Sequence, residues 1–146
     1  MSKLAPTYDE IQIAVGRMCK ELDFETDVDV IVGVARGGLL PAVIASHALD
    51  VPLIPVSYSS KRGNGDDKNH NNVLPDIKQH TILLVDDIAD TGNTLVEIEN
   101  HYSNLGHRVL TMVLHYKYSK HTKFYPDYYW HTLTEDEGWV TYPFER

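Results

Sequence analysis

Three features are scarce in this sequence: cysteine, positive charge and long apolar runs. Cys19 is the single cysteine among 146 residues, so neither an intramolecular disulfide nor a cysteine-based metal cage can form. The chain has 13 Lys and Arg against 21 Asp and Glu, and its formal charge of −8 excludes the basic surface that nucleic-acid phosphates require. No apolar run approaches the roughly 20 residues that a membrane-spanning helix needs. We therefore expect a protein of the reducing cytoplasm that binds neither nucleic acid nor membrane.

The length and the order of the hydrophobic patterns predict one α/β domain over residues 1–146. A chain of this length can bury one core and is too short for two independent ones. A capping box at Thr7 and Glu10 begins a helix that we expect to end near Leu22. The next predicted elements are a strand at 28–34, a helix at 39–49, an edge strand at 51–56, a strand at 81–85, a helix near 95–105 and a strand at 108–116. This alternation favours a mostly parallel sheet covered on both faces, with ligands beyond the carboxyl ends of its strands.

Two segments have no regular hydrophobic pattern. Residues 57–72 are rich in Ser, Lys, Gly, Asp and Asn, and a loop of about this length in a compact domain is usually functional or disordered. The tail from Pro126 to Arg146 is aromatic and irregular, with short strand candidates near Tyr128 and Trp139. We expect the first segment to be a flexible loop and the second to be a small structure beside the sheet.

The run from Leu84 to Leu95 carries the strongest chemical signal. Asp86 and Asp87 follow a buried strand, and a turn of small polar residues then opens a helix. The carboxylates can accept hydrogen bonds from ribose hydroxyls, while the amides and hydroxyls of residues 90–94 can surround a phosphate at the positive helix end. For an isolated Asp-Asp pair, solvated acids followed by an ordinary helix cap are the more common arrangement.

The whole run resembles the signature with which type I phosphoribosyltransferases bind phosphoribosyl pyrophosphate (PRPP). Asn93 occupies a position that often holds Gly or Lys in that family. The resemblance implies that the ribose and the 5′-phosphate of PRPP are bound by Asp86, Asp87, Asp90, Thr91, Gly92, Asn93 and Thr94.

A second glycine-bearing turn, Val34 to Leu39, is similar to the pyrophosphate loop of the same family. Glycine lets backbone amides face a ligand there, and arginine adds positive charge. Taken alone, the turn could simply connect a strand to a helix. Its glycine spacing does not fit a dinucleotide fingerprint, and it lacks the lysine that a P-loop needs. The resemblance implies that Arg36 and Gly37 bind pyrophosphate.

Two later segments resemble the base-recognition elements of small xanthine-guanine and hypoxanthine phosphoribosyltransferases. They are His115 to Lys117 and Trp139 to Glu145. By this resemblance Lys117 donates to the purine 6-oxo group, Trp139 stacks on the ring, and the carbonyl of Val140 faces position 2 of the base. The family often has proline after the lysine where this chain has Tyr118, and without the resemblance Trp139 could equally be a core aromatic.

The resemblance implies a magnesium-dependent enzyme that moves 5-phosphoribosyl from PRPP to a 6-oxopurine. Asp87 is then the metal contact, either directly or through water, Asp86 orients ribose hydroxyls, and Asp90 exchanges a proton with purine N7. Residues 57–72 would act as a lid, the tail as a base-recognition hood, and the protein as a homo-oligomer, dimer or tetramer. Two alternatives stay open: a transferase for another base, such as adenine, a pyrimidine or orotate, and a PRPP-sensing regulator without catalytic activity.

Overall fold

The computed structural model describes residues 4–60, 72–118, 124–134, 137 and 139–145. Its elements are α1 (Tyr8–Glu25), β1 (Val30–Ala35), α2 (Leu39–Leu49), β2 (Leu53–Ser57), β3 (Thr81–Ala89), α3 (Asn93–Asn104), β4 (Arg108–Lys117), β5 (Tyr128–Leu133) and a 3₁₀ turn (Pro143–Glu145). The five strands form one sheet in the order β2-β1-β3-β4-β5, and every neighbouring pair is parallel. The predicted α/β class and parallel sheet are confirmed.

Helices cover both faces of the sheet, as the strand-helix alternation predicted. Successive residues of a strand point to opposite faces, so Ile31, Leu83 and Val85 pack with α1 and α2 in one apolar cluster. Their neighbours Val32, Ile82 and Leu84 pack with α3 in a second cluster. The sheet is therefore buried on both sides, and its carboxyl-end edge is the place where polar side chains can meet a ligand.

The first helix begins where the capping box predicted and ends later. The amide of Thr7 donates to Glu10 Oε1 at 3.0 Å, and the amide of Glu10 donates to Thr7 Oγ1 at 3.1 Å. The helix runs on to Glu25 rather than Leu22. The hydrophobic periodicity stops at Leu22 because the last turn is solvated, so it could not show this extension.

Strand β2 lies at the edge of the sheet and starts at Leu53, as its prolines indicated. Pro55 pairs with Gly33 of β1 on one side, and its missing amide leaves no unpaired donor on the open side. The described ends of the following loop are joined, because Asn72 exchanges two hydrogen bonds with the backbone of Ser59, at 2.9 and 2.8 Å. Positions 61–71, the centre of the predicted lid, lie outside the described residues.

Strand β3 is longer than predicted, and this changes where the two acids lie. We expected it to end at Val85, but it continues to Ala89. Its pairing with β1 ends at Gly33 opposite Val85, whereas its pairing with β4 continues to Ala89 opposite Tyr116. The acids therefore lie within a strand extension that has only one neighbour. The apolar run stops at Val85 because the extension faces the site, so hydrophobicity alone could not reveal it.

Candidate active site

The turn after β1 brings backbone very close to the end of β3. A side-chain carbon at Gly38 would lie 2.6 Å from the carbonyl oxygen of Val85 and 2.8 Å from the α-carbon of Asp86. Real side-chain carbons do not approach backbone atoms so closely, so glycine is required at this position. The peptide bond between Ala35 and Arg36 is cis. The two glycine-bearing motifs of the sequence thus converge at one edge of the sheet.

The acid pair lies in the extension of β3 with both carboxylates turned onto their own backbone. Asp86 Oδ1 accepts the amide of Asp87 at 2.8 Å, and Asp87 Oδ1 accepts the amide of Ile88 at 2.7 Å. Burial, followed by the neighbouring charge of Asp87, raises the pKa of Asp86 well above its usual value. The folded chain therefore crowds negative charge at this point, where a cation or several hydroxyl donors would stabilise the ionised pair.

The turn of Arg36 and Gly37 and the second acid of the pair, Asp87, line one cleft. A side chain at Gly37 would collide with the carboxylate of Asp87, so these two residues are in direct apposition. A cleft of about 740 Å³ opens beside them, lined by Arg36, Gly37, Leu39, Leu40, Asp87, Phe144 and Glu145. Arg36, Gly37 and Asp87 thus line the same cleft.

The polar turn from Asp90 to Thr94 ends in the first turn of α3. Gly92 has a φ of 81°, a conformation that favours glycine, and it is the N-cap of the helix. The helix start has no side-chain cap, and the amide of Asn93 donates to Thr91 Oγ1 at 3.2 Å. A side chain at Gly92 would collide with Phe124, so this aromatic packs on the back of the turn. Amides at an uncapped helix start suit a phosphate.

Lys117, at the end of β4, lies beside Asp90 across the edge of the sheet. Its Nζ is 3.7 Å from Asp90 Oδ1, and the two side chains are 30% and 54% exposed. An ion pair so open to solvent contributes little to stability, since water screens it. Its relevance is positional, because it brings the predicted proton-transfer residue and the predicted 6-oxo donor within reach of one ligand.

Trp139 is not the core aromatic that composition alone would allow, because it is 58% exposed. Its neighbour Val140 is 1% exposed and forms an isolated parallel bridge with Leu4, and the amide of Thr141 donates to the carbonyl of Leu4 at 2.9 Å. The buried residue thus anchors the segment while its neighbour faces outward. Neither Trp139 nor Val140 is among the described residues that line the cleft beside Arg36.

Sequence reasoning missed a buried contact behind the site. Tyr142 Oη lies 2.8 Å from His115 Nδ1 and 3.2 Å from the carbonyl oxygen of Asp87. Both residues fall in segments already singled out for base recognition, but no spacing rule connects position 115 with position 142. Phe144 and Glu145 were also missed as cleft residues, although they end the same aromatic segment.

The donor set fits magnesium held jointly by protein and ligand. Within the described residues no group of three or more His, Cys, Asp or Glu side chains is placed to hold a metal ion. Magnesium is commonly bound through one or two carboxylates together with substrate phosphates, and it prefers oxygen ligands. Asp86 and Asp87, two adjacent carboxylates of which the first has a pKa raised by burial and by the second, meet that requirement.

The only cysteine has no part in this site. Cys19 is 2% exposed in α1, and burial, with a smaller effect of Asp23, raises the pKa of its thiol to about 11. A thiol that stays protonated at neutral pH is a poor nucleophile.

In the part of the chain that the structure describes, no helix has the length and apolar character needed to cross a bilayer.

Comparisons with known proteins agree with this geometry. The family model described as "Phosphoribosyl transferase domain" matches residues 7–144. The solved structure of a purine phosphoribosyltransferase from Pyrococcus horikoshii superposes with a TM-score of 0.80 at 32% identity, covering 100% of this chain and 95% of that one.

Curated relatives match over shorter stretches. A xanthine-guanine phosphoribosyltransferase of Roseobacter denitrificans is 34% identical over 84 residues, which cover 51% of this chain and 48% of that protein. An orotate phosphoribosyltransferase of Sulfurisphaera tokodaii is 32% identical over 106 residues, which cover 73% of this chain and 50% of that protein. The chain thus spans about half the length of the curated relatives it matches.

Proposed function

Because the chain belongs to the phosphoribosyltransferase family, we propose that it transfers 5-phosphoribosyl from PRPP to hypoxanthine or guanine and releases pyrophosphate. The observation that carries this proposal is the convergence of three elements at one sheet edge. The turn of Arg36 and Gly37 lies against Asp87, and Lys117 lies against Asp90. The turn of residues 90–94, which opens α3, follows Asp87 and begins at Asp90, so it lies between these two contacts along the chain.

PRPP is assigned to the groove between the two glycine-bearing turns. The 5′-phosphate accepts from the backbone amides and hydroxyls of residues 91–94, where the helix start provides positive potential. The ribose hydroxyls donate to Asp86 and Asp87. The pyrophosphate group faces Arg36 and the amide of Gly37, in the cleft of about 740 Å³.

The purine is assigned to the side of the site where β4 ends. Lys117 has only donors on its ammonium group, so it can bind a 6-oxo group and cannot pair with the 6-amino group of adenine. Trp139, which is exposed and anchored by Val140, is available to stack on the base. The carbonyl of Val140 would accept from the 2-amino group of guanine.

Catalysis then depends on charge placement and on one proton transfer. In this family the bond from ribose to pyrophosphate breaks ahead of full bonding to the base, so the leaving group needs electrostatic stabilisation. Arg36 and the Gly37 amide supply part of it from fixed positions. Asp90 exchanges a proton with purine N7 as the new bond forms, and Lys117 Nζ lies 3.7 Å from its carboxylate.

The proposed cofactor is Mg²⁺, with Asp87 as its contact on the protein. When bound, magnesium neutralises the charge that develops on pyrophosphate. Asp86, whose pKa is raised by burial and by Asp87, orients ribose hydroxyls and gains a more favourable environment when the cation is present. We also propose that the protein is a homo-oligomer, a dimer or a tetramer, in the cytoplasm.

Two other functions remain as alternatives with distinct signatures. The orotate phosphoribosyltransferase relative keeps a pyrimidine acceptor open, but the donor-only side chain of Lys117 beside Asp90 favours a purine with a 6-oxo group and a titratable N7. A PRPP-sensing regulator would keep the phosphate turns without turnover. The charge of −8 disfavours a regulator that acts through nucleic acid.

A direct transfer assay tests the proposal. The chain is incubated with PRPP, Mg²⁺ and hypoxanthine, guanine or orotate, and the nucleotide and pyrophosphate are quantified. We expect both products with the purines and none when Mg²⁺ is chelated. Turnover of orotate alone would support the pyrimidine alternative, and PRPP binding without product from these bases or from adenine would support the regulator.

A further inference from the structure

The hydroxyl of Tyr142 joins the C-terminal segment to strand β3. The side chain is 2% exposed, and its ring stacks on that of Phe144 with centroids 5.2 Å apart and planes 5° from parallel. Its oxygen lies between two polar atoms, His115 Nδ1 at 2.8 Å and the carbonyl oxygen of Asp87 at 3.2 Å. It is thus a link between the segment that carries Trp139 and the acid pair.

Counting hydrogens fixes the direction of both bonds. A tyrosine hydroxyl has one hydrogen, and a backbone carbonyl can only accept. Tyr142 can therefore donate to Asp87 and still bond to His115 only if His115 carries a hydrogen on Nδ1 and donates it. Burial, with a smaller effect of His131, lowers the pKa of His115 to about 4, so its ring is neutral at pH 7. A neutral ring has one N–H, which must then be on Nδ1.

The receiving carbonyl lies where β3 is least supported. Register pairing with β1 ends at Val85, so the extension that carries Asp87 has β4 as its one paired neighbour among the described strands. The hydroxyl of Tyr142, which belongs to the C-terminal segment and to no strand of the sheet, donates to the Asp87 carbonyl of this extension. It orients the peptide that follows Asp87, whose amide bonds to the Asp87 carboxylate at 2.7 Å.

We propose that Tyr142 is a positioning residue for PRPP binding, and that His115, as its Nδ1–H tautomer, fixes the direction of the Tyr142 hydroxyl. This inference rests on the proposed function. The chain His115 → Tyr142 → Asp87 holds the Asp87 carboxylate toward the ligand and attaches the base-facing segment to the PRPP-facing strand. Binding of PRPP is therefore coupled to the packing of the C-terminal segment.

The test compares two buried tyrosines that each donate to a backbone carbonyl. Tyr142→Phe removes the link, whereas Tyr102→Phe removes a bond of 2.8 Å to the carbonyl of Pro75 from a side chain that is 0% exposed. Calorimetric titration with PRPP and Mg²⁺ should show a roughly three- to tenfold weaker Kd for Tyr142→Phe, the effect expected for one hydrogen bond. The Tyr102→Phe variant should bind within about twofold of the unaltered chain, although both variants lose stability.

A second measurement needs no variant. Long-range ¹H–¹⁵N correlation spectra of the unaltered protein at pH 7 should report His115 with hydrogen on Nδ1, and an Nε2–H tautomer would overturn the inference. Equal PRPP affinity of Tyr142→Phe and the unaltered chain would also overturn it, while the proposed function would survive. If the unaltered chain fails to bind PRPP at all, both the inference and the proposed function are wrong.

Discussion

The two halves of this site, which are proposed to face the phosphates and the base of the ligands, are built in different ways. The phosphate-facing half consists of short continuous stretches, the turn at residues 36–38 and the run at 86–94, in which glycines allow a close approach to neighbouring residues. The base-facing half depends on contacts between distant positions, such as the bridge from Leu4 to Val140. Both halves contain segments that could be recognised in the sequence, but the long-range contacts that position the base-facing segments could not be read from it.

The substitution with the largest expected effect on catalysis is at Asp90, beside Lys117 of the base-facing half. Asp90→Asn should lower kcat by about 100-fold or more, the size expected for loss of general acid-base catalysis. PRPP binding should remain largely intact, because residues 91–94 keep their amides. Steady-state kinetics together with PRPP titration separate these effects, with exposed Asp23→Asn as the control. Unchanged turnover would remove Asp90 from the mechanism.

The second prediction concerns acid stability of the base-facing half. The pKa of buried His115 is about 4 in the folded chain against an ordinary 6.5, so the unfolded state binds the proton more readily. The stability that comes from keeping the buried His115 ring neutral is therefore fully present above pH 6.5. It is lost as the pH falls toward 4, and the free energy of unfolding decreases by about 3 kcal/mol in total. Denaturant unfolding across this range should show the loss.

The control for that experiment is the neighbouring exposed histidine. His115→Gln, which cannot take up the proton, should reduce the difference in unfolding free energy between pH 7 and pH 4. His131→Gln should keep most of it, since that side chain is exposed. An equal change in unfolding free energy between pH 7 and pH 4 for the two variants would show that His115 does not titrate in this way.

A smaller effect should come from the backbone of the phosphate-facing half. Gly38→Ala places a carbon 2.6 Å from the Val85 carbonyl oxygen, and relieving such overlap typically costs about 1–3 kcal/mol. Gly16→Ala is the matched control, because no atom lies within 4 Å of the added carbon in α1, and it should stabilise by roughly 0.5–1 kcal/mol. Both variants are compared by their thermal unfolding and by their KM for PRPP. A neutral Gly38→Ala would contradict the close approach.

These differences explain what could be predicted from the sequence. The helix start at Thr7 and the edge position of β2 follow from local patterns, and both are present. The extension of β3 to Ala89 was not predicted, because a strand that faces a ligand loses its apolar signature.

The remaining features needed tertiary contacts. No spacing rule brings Tyr142 to His115, or Lys117 to within 3.7 Å of Asp90, because each pair is joined only when the sheet has formed. The exposure of Trp139 likewise depends on Val140 being fixed by Leu4. Residue identity suggested these positions, but their partners could be identified only in the folded chain.

The most direct test of the account is kcat/KM for hypoxanthine, guanine, xanthine and adenine. Lys117 meets a 6-oxo group as a donor and the 6-amino group of adenine donor to donor, and such discrimination can reach about 10⁴-fold. The account predicts efficient turnover of hypoxanthine and guanine, weaker turnover of xanthine, and very poor turnover of adenine. A clear preference for xanthine would contradict the role of the Val140 carbonyl. Efficient turnover of adenine would contradict the assignment of Lys117 and, with it, the 6-oxopurine as acceptor.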